Sequence, residues 1–321
     1  MRSRRSRPPI DPAELAAAVR AGDRRAVARA ISAAEDGDPG AGPLLAALYP
    51  HTGHARTLGL TGPPGVGKSS LIDQLCAHLR GLDLTVGVLS VDPSSQRTNG
   101  ALLGDRIRLS RHFLDPGVFI RSMATRGHLG GVSEATLLAG LILDAAGRDV
   151  VLYETVGVGQ SEVEIGQLVD TVVLVLMPGS GDSIQALKAG VMEIPDIICI
   201  NKADHPRLDR LRAELKQVLG LADPAERPLV VETTAIDGSG VPELWEAVCG
   251  HRDRLAASGG LEARRRAQLE REVLTLAAAR VARRLERTLR ERPDLAAVID
   301  AVAARTSDPL AAVEALLADH A

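Results

Sequence analysis

Aromatic residues are nearly absent from this chain: two Phe, two Tyr and one Trp make up 2% of its 321 residues. With so few stacking platforms and a net charge of only −3, the sequence offers neither the aromatic grooves nor the basic face expected of a nucleic-acid partner. Long apolar runs are missing too. The longest, near Thr171–Met177, spans about one buried strand and falls far short of the roughly 20 residues a membrane-crossing helix needs. Cysteine is scarce: Cys76, Cys199 and Cys249 fall on a predicted helix, strand and helix without metal-site spacing. They read as small buried residues of a reducing compartment, which points to the cytoplasm. The opening MRSRRSRPP is basic, but no apolar segment follows it, so it is not a secretory signal. It reads as a disordered arm in preference to the remnant of an organellar presequence.

What is there is 45% hydrophobic and long enough for one large α/β domain with helical additions, or two modest domains. Asp11–Glu35 has helical periodicity, with Asp11 as N-cap, Pro12 at the first helical position and a break at Gly22–Asp23. The run DGDPGAGP at Asp36–Pro43 reads as punctuation. From Thr57 to about Arg254, the apolar runs LGLTG, LTVGVLSVD, VFIRS, DVVLYETVG, TVVLVLM, IICINKAD and PLVVETTA alternate with helical patterns. That alternation predicts a mostly parallel, doubly wound sheet with helices on both faces and ligands at the strands' carboxyl ends. Beyond Ser258–Gly260 the composition turns to Ala, Leu and Arg, predicting a long helix over Leu261–Glu291 and two short ones at Asp294–Ala304 and Pro309–Asp319. The expected division is therefore 1–50, a basic arm and helical extension; 51–257, the nucleotide domain; and 258–321, a helical segment suited to dimerisation.

TGPPGVGKSS at Thr61–Ser70 completes the phosphate-binding pattern G-x-x-x-x-G-K-[ST] between a predicted strand and an amphipathic helix. Gly62, Pro63, Pro64, Gly65, Val66 and Gly67 form the loop whose N–H groups converge on phosphates. Lys68 reaches the β and γ oxygens, Ser69 supplies a hydroxyl for Mg²⁺, and Ser70 follows in the first helical turn. Asn201-Lys202-Ala203-Asp204 after the strand IICI has the form of a guanine-reading loop. The Asp204 carboxylate accepts from guanine N1–H and the 2-amino group, whereas adenine presents an acceptor at N1. Asn201 and the stem of Lys202 brace the loop and cover the base, and Thr234-Ala235 stands where a backbone N–H meets guanine O6. GTP is favoured over ATP.

Glu154-Thr155-Val156-Gly157 has the form of the D-x-x-G γ-phosphate sensor with Glu for Asp: Glu154 holds Mg²⁺ through water, and the Gly157 N–H reports the γ-phosphate. Val158 stands where many small GTPases place a water-orienting Gln, and Gln160 lies two residues on, so slow intrinsic hydrolysis aided by a partner is expected. Asp92 and Asp105 are further Mg²⁺-shell candidates. Asp182, Lys188, Arg126 and His128 lie on Gly-rich loops suited to contact nucleotide or partner. His51-x-x-His54 reads as two surface histidines, and Trp245, spaced helically with Leu244 and Val248, reads as core.

With NKAD, ETVGVGQSE, VDPSSQRTNGALLGDRIRL and the long stretch FIRSMATRGHLGGVSEAT, the chain resembles the methylmalonyl-CoA mutase-associated GTPases of MeaB/ArgK type, relatives of the human methylmalonic aciduria type A protein. The resemblance runs from about Asp11 to the C-terminus. It implies a P-loop NTPase fold of the SIMIBI class. It also implies a homodimeric chaperone that uses GTP hydrolysis, with GTP or GDP and Mg²⁺ as ligands, to gate adenosylcobalamin loading and protect the mutase. Catalytic roles would fall to Lys68, Glu154 and Gly157. Metal would be held by Ser69, Asp92, Asp105 and Glu154. Departures are small: Ser70 stands where relatives often have Thr or Leu, and Thr234-Ala235 replaces Ser-Ala. Competing readings are a nickel-insertion GTPase, an ATP-dependent kinase serving amino-acid transport, and a scaffold that binds GTP without useful turnover.

Overall fold

The computed structural model describes residues 11–92, 109–124, 134–155, 166, 168–180, 195–220, 223, 227–291 and 293–318. Among these are seven strands: β1 (Arg56–Thr61), β2 (Val86–Asp92), β3 (Val118–Ala124), β4 (Val150–Thr155), β5 (Thr171–Leu176), β6 (Ile197–Asn201) and β7 (Leu229–Thr233). They form one sheet in the order β3-β2-β4-β1-β5-β6-β7, every pairing parallel. Each of the seven apolar runs in the sequence supplies one strand. The strands β4, β5 and β6 are buried on both faces, and this is why strands such as Thr171–Leu176 read as continuous Val and Leu without polar alternation.

Because neighbouring side chains on a strand point to opposite faces, β4 divides its residues between two cores. Val151 and Tyr153 join the core formed with helices α1 (Pro12–Arg20), α2 (Arg24–Asp36), α3 (Ala41–Leu48) and α5 (Glu134–Ala145). Val150 and Leu152 join the opposite core, under α4 (Lys68–Gly81) and α7 (Val241–Ala257). Leu211 and Leu215 of α6 (Leu208–Leu219) cover β5 and β6 through a third cluster with Leu174, Leu176, Ile198 and Ile200. Leu71, Leu75 and Leu79 of α4 are fully buried at helical spacing, each contributing about 2 kcal/mol of apolar burial. Trp245 is core. Burial pushes the Cys76 and Cys199 thiols up to about 12, so both stay protonated near neutrality, while Cys249 is half-buried.

Asp11 caps α1 by accepting from the N–H groups of Ala13 and Glu14, and Gly22, at φ +76°, makes the turn into α2. Helix α3 begins inside the Gly/Pro run read as punctuation, because Pro43 lies in the first turn, where no intrahelical N–H is required. The tail contains α8 (Gly260–Glu291), α9 (Pro293–Ala303) and α10 (Pro309–Ala318). The chain divides into two compact units, Met1–Gln268 and Leu269–Ala321, with the division inside α8. The three N-terminal helices thus belong to the unit that carries the sheet.

Candidate nucleotide site

All the motifs within the described residues meet at the carboxyl edge of the sheet. The phosphate loop leaves β1 at Gly62, whose φ of +132° and tight approach to the Val175 carbonyl leave no room for a Cβ. The loop ends at Gly67, left-handed at φ +95°, which caps α4 without any side-chain hydrogen bond. The first N–H groups of α4 therefore remain available to an anion, and the helix dipole favours one there.

Lys68 is buried within its own loop: Nζ donates to the carbonyls of Gly62 and of Pro63, the latter at 2.9 Å. Carbonyl oxygens here occupy the ammonium in the way phosphate oxygens would. Ser69 Oγ donates to Glu154 Oε1 at 2.6 Å, and Ser90 Oγ donates to Glu154 Oε2 at 3.1 Å. Glu154 is buried at the end of β4, directly beside β1 and β2. This all-oxygen pairing of a helix-start hydroxyl with a buried carboxylate suits Mg²⁺, which takes one or two carboxylates and completes its shell with water and phosphate. Asp92 ends β2 on the same edge. Ser90 was not foreseen; the signal for it is a lone hydroxyl inside the buried run VGVLSVD.

The Asn201–Asp204 loop is fastened to this centre. Asn201 is buried at the end of β6, and its Nδ2 donates to the Val66 carbonyl at 2.8 Å. Its Oδ1 accepts from Ala235 N–H at 3.0 Å and from Thr233 Oγ1 at 3.2 Å. Lys202, left-handed at φ +58°, lays its chain across the phosphate loop, with Nζ donating to the Gly65 carbonyl at 2.9 Å and lying 3.2 Å from Met177 Sδ. Asp204 is exposed. The two N–H groups that the sequence offers to guanine O6 are both engaged within the protein, Thr234 with the Ser239 carbonyl at 2.9 Å and Ala235 with Asn201. In this structure Thr234 and Ala235 thus shape and brace the loop. Asp105, Gly157, Val158, Gln160, Asp182, Lys188, Arg126 and His128 lie outside the described residues.

The family model described as methylmalonyl-CoA mutase-associated GTPase MeaB matches residues 27–289. A Pyrococcus horikoshii protein named as a GTPase is 48% identical over 314 residues, covering 96% of this chain and 98% of its own. The mitochondrial methylmalonic aciduria type A homolog of Mus musculus is 38% identical over 217 residues, 66% of this chain and 52% of that protein. Among solved structures, a LAO/AO transport system kinase superposes with a TM-score of 0.71 at 29% identity, over 95% of this chain and 96% of that one. A strand-loop-helix phosphate cradle, a carboxylate on the neighbouring strand and the Asn201–Asp204 loop bonded to that cradle agree with these matches: the chain belongs to the family of methylmalonyl-CoA mutase-associated GTPases.

Proposed function

We propose that this GTPase binds GTP at the carboxyl edge of the sheet and uses its hydrolysis to time the loading and protection of an adenosylcobalamin-dependent acyl-CoA mutase. The observation that carries the nucleotide assignment is the Asn201–Val66 hydrogen bond, which makes one unit of the phosphate and guanine loops. The mutase as client rests on the family description and on the homology to the methylmalonic aciduria type A homolog.

On this reading the N–H groups of the loop and of the first turn of α4 cradle the phosphates. Lys68 exchanges the Gly62 and Pro63 carbonyls for β and γ oxygens, where its charge offsets that developing during in-line attack by water. Ser69, Asp92, Asp105 and Glu154 would hold Mg²⁺, which when bound neutralises phosphate charge. Asp204, exposed at the rim, selects guanine over adenine by accepting from its ring N–H and amino groups. We assign a homodimer to the C-terminal unit, where Leu269, Val273, Leu274 and Val281 are exposed along α8. No helix among the described residues is long and apolar enough to cross a membrane, and a cytoplasmic location is part of the proposal.

The test is phosphate release from GTP, with ATP as control, before and after adding a purified adenosylcobalamin-dependent acyl-CoA mutase. Slow, GTP-specific turnover that rises several-fold with the mutase is expected, and Lys68→Ala should abolish it. Turnover indifferent to the mutase would leave the GTPase and remove the client; equal turnover of ATP would remove the role of Asp204.

A further inference from the structure

Strand β2 carries a hydroxyl on a face that is otherwise core. Side chains two residues apart share a face of a strand, so Val86, Val88, Ser90 and Asp92 lie along one side of β2. Val86 and Val88 belong to the core under α4, and Asp92 ends the strand at its carboxyl edge. On β4 the corresponding side runs Val150, Leu152 and Glu154, and Val150 and Leu152 sit in that same core. Ser90 and Glu154 are direct partners in the parallel register of β2 and β4. Both strands therefore pass from core to polar site at one level, and this pair makes the change.

Ser90 is 1% exposed and Glu154 3%. A hydroxyl or a carboxylate so far from water is costly unless it is hydrogen-bonded, and Ser90 Oγ donates to Glu154 Oε2 at 3.1 Å. The other carboxylate oxygen, Oε1, accepts from Ser69 Oγ at 2.6 Å. The two hydroxyls differ in what holds them. Ser69 lies in the first turn of α4, directly after the phosphate loop, where an entering phosphate or ion changes the surroundings. Ser90 is flanked on both sides, paired with Ser122 of β3 and with Glu154 of β4, so its backbone is fixed by the sheet.

The last torsion of a glutamate side chain is broad and is not set by rotamer preference. A hydrogen bond from a fixed hydroxyl to one carboxylate oxygen sets it, and thereby aims the other oxygen. Alanine would fill the position of Ser90 without burying a polar group; what the hydroxyl adds is the bond to Glu154.

We propose that Ser90 is a positioning residue for the metal centre: it holds Glu154 by Oε2 so that Oε1 is presented, together with Ser69 Oγ, to Mg²⁺. This rests on the reading of Glu154 as a carboxylate that faces the ion. Ser90 itself touches neither ion nor nucleotide and acts through Glu154. Hydrogen bonds of this kind orient metal-holding carboxylates, and losing one costs about 10–100-fold in metal affinity or activity.

The experiment follows binding of a fluorescent, non-hydrolysable GTP analogue to the full chain, titrated with Mg²⁺ and, separately, in EDTA. Ser90→Ala should raise the Mg²⁺ concentration needed for half-maximal tightening about tenfold, with affinity in EDTA unchanged within about twofold. Ser90→Thr, which keeps the hydroxyl, should restore the Mg²⁺ requirement of the parent, whereas Ser90→Val, of the same shape without a hydroxyl, should not. Glu154→Gln tells this assignment apart from the one beneath it. Alone it should raise the Mg²⁺ requirement, and adding Ser90→Ala to it should change that requirement by less than about threefold, because no charged oxygen is left to aim. An unchanged requirement in Glu154→Gln would remove the ion from Glu154 and the role of Ser90 with it. A raised requirement in Glu154→Gln beside an unchanged one in Ser90→Ala would leave the metal site and overturn the proposal. Equal requirements in the Thr and Val variants, or a further loss of about tenfold when Ser90→Ala is added to Glu154→Gln, would overturn it as well. Ser90→Ala introduces no bulk, so it and the double variant decide the matter even if the β-branched variants do not fold.

Discussion

Asn201 Nδ2 donates to the Val66 carbonyl at 2.8 Å, across 135 residues of sequence, while Asn201 Oδ1 holds the Ala235 N–H at 3.0 Å. One buried amide therefore joins β6, the phosphate loop and the segment after β7. Asn201→Leu leaves the Val66 carbonyl and the Ala235 N–H without this partner, each costing about 1–3 kcal/mol. The expected outcome is a loss of about 3 kcal/mol in urea unfolding, and GDP affinity reduced at least about tenfold in a fluorescent-nucleotide titration. Stability lost with affinity intact would show that the two loops are independent.

The glycines of the phosphate loop differ in what they tolerate. A Cβ on Gly62 would lie 2.2 Å from the Val175 carbonyl oxygen, and that carbonyl is fixed in the sheet. At Gly65, φ is +78° but nothing lies within 4 Å of a Cβ. Gly62→Ala should therefore cost about 3 kcal/mol or more, through clash and displaced backbone, and Gly65→Ala only the roughly 1–2 kcal/mol of a left-handed alanine. Urea midpoints of the two variants separate them, and equal midpoints would contradict the geometry.

Glu154 receives hydrogen bonds from Ser69 and Ser90, and a glutamine can keep both contacts by accepting one and donating to the other hydroxyl. Glu154→Gln should fold and melt like the parent yet lose a charge facing the proposed Mg²⁺. GTP turnover should fall about 100-fold, with a higher Mg²⁺ requirement. Turnover titrated against Mg²⁺ reads both, and an unchanged requirement would place the ion elsewhere.

Much of this was legible in the sequence. Where strands are buried on both faces, as in TVVLVLM and IICIN, side-chain type alone marks them, and the Asp11 cap with the break at Gly22–Asp23 marked the first two helices. The strand order was not legible, because β1 lies between β4 and β5 through pairings that leave no local signature. The partner of Ala235 was hidden for the same reason. Whether an N–H faces a ligand or Asn201 Oδ1 depends on a contact made 34 residues away.

Asp196, just before β6, shows what pH should do to the attachment of α8. Its carboxylate accepts from Arg264 Nη1 at 2.9 Å and Nη2 at 2.8 Å, from His251 Nε2 at 3.2 Å and from Val172 N–H at 2.8 Å. Burial alone would raise its pKa, but hydrogen bonds from His251 and Arg264, and their charges, hold it down at about 2 against a normal 3.8. A carboxylate depressed on folding contributes stability that is fully present above the unfolded pKa and disappears as pH falls through the folded one. About two units correspond to about 2 kcal/mol, present above pH 4 and lost as the pH falls toward 2. Asp196→Asn removes that term, so urea unfolding should show it less stable than the parent by about 2 kcal/mol near pH 6, with the gap closing toward pH 2. A gap that stays constant across this range would assign the loss to broken hydrogen bonds, independent of the charge.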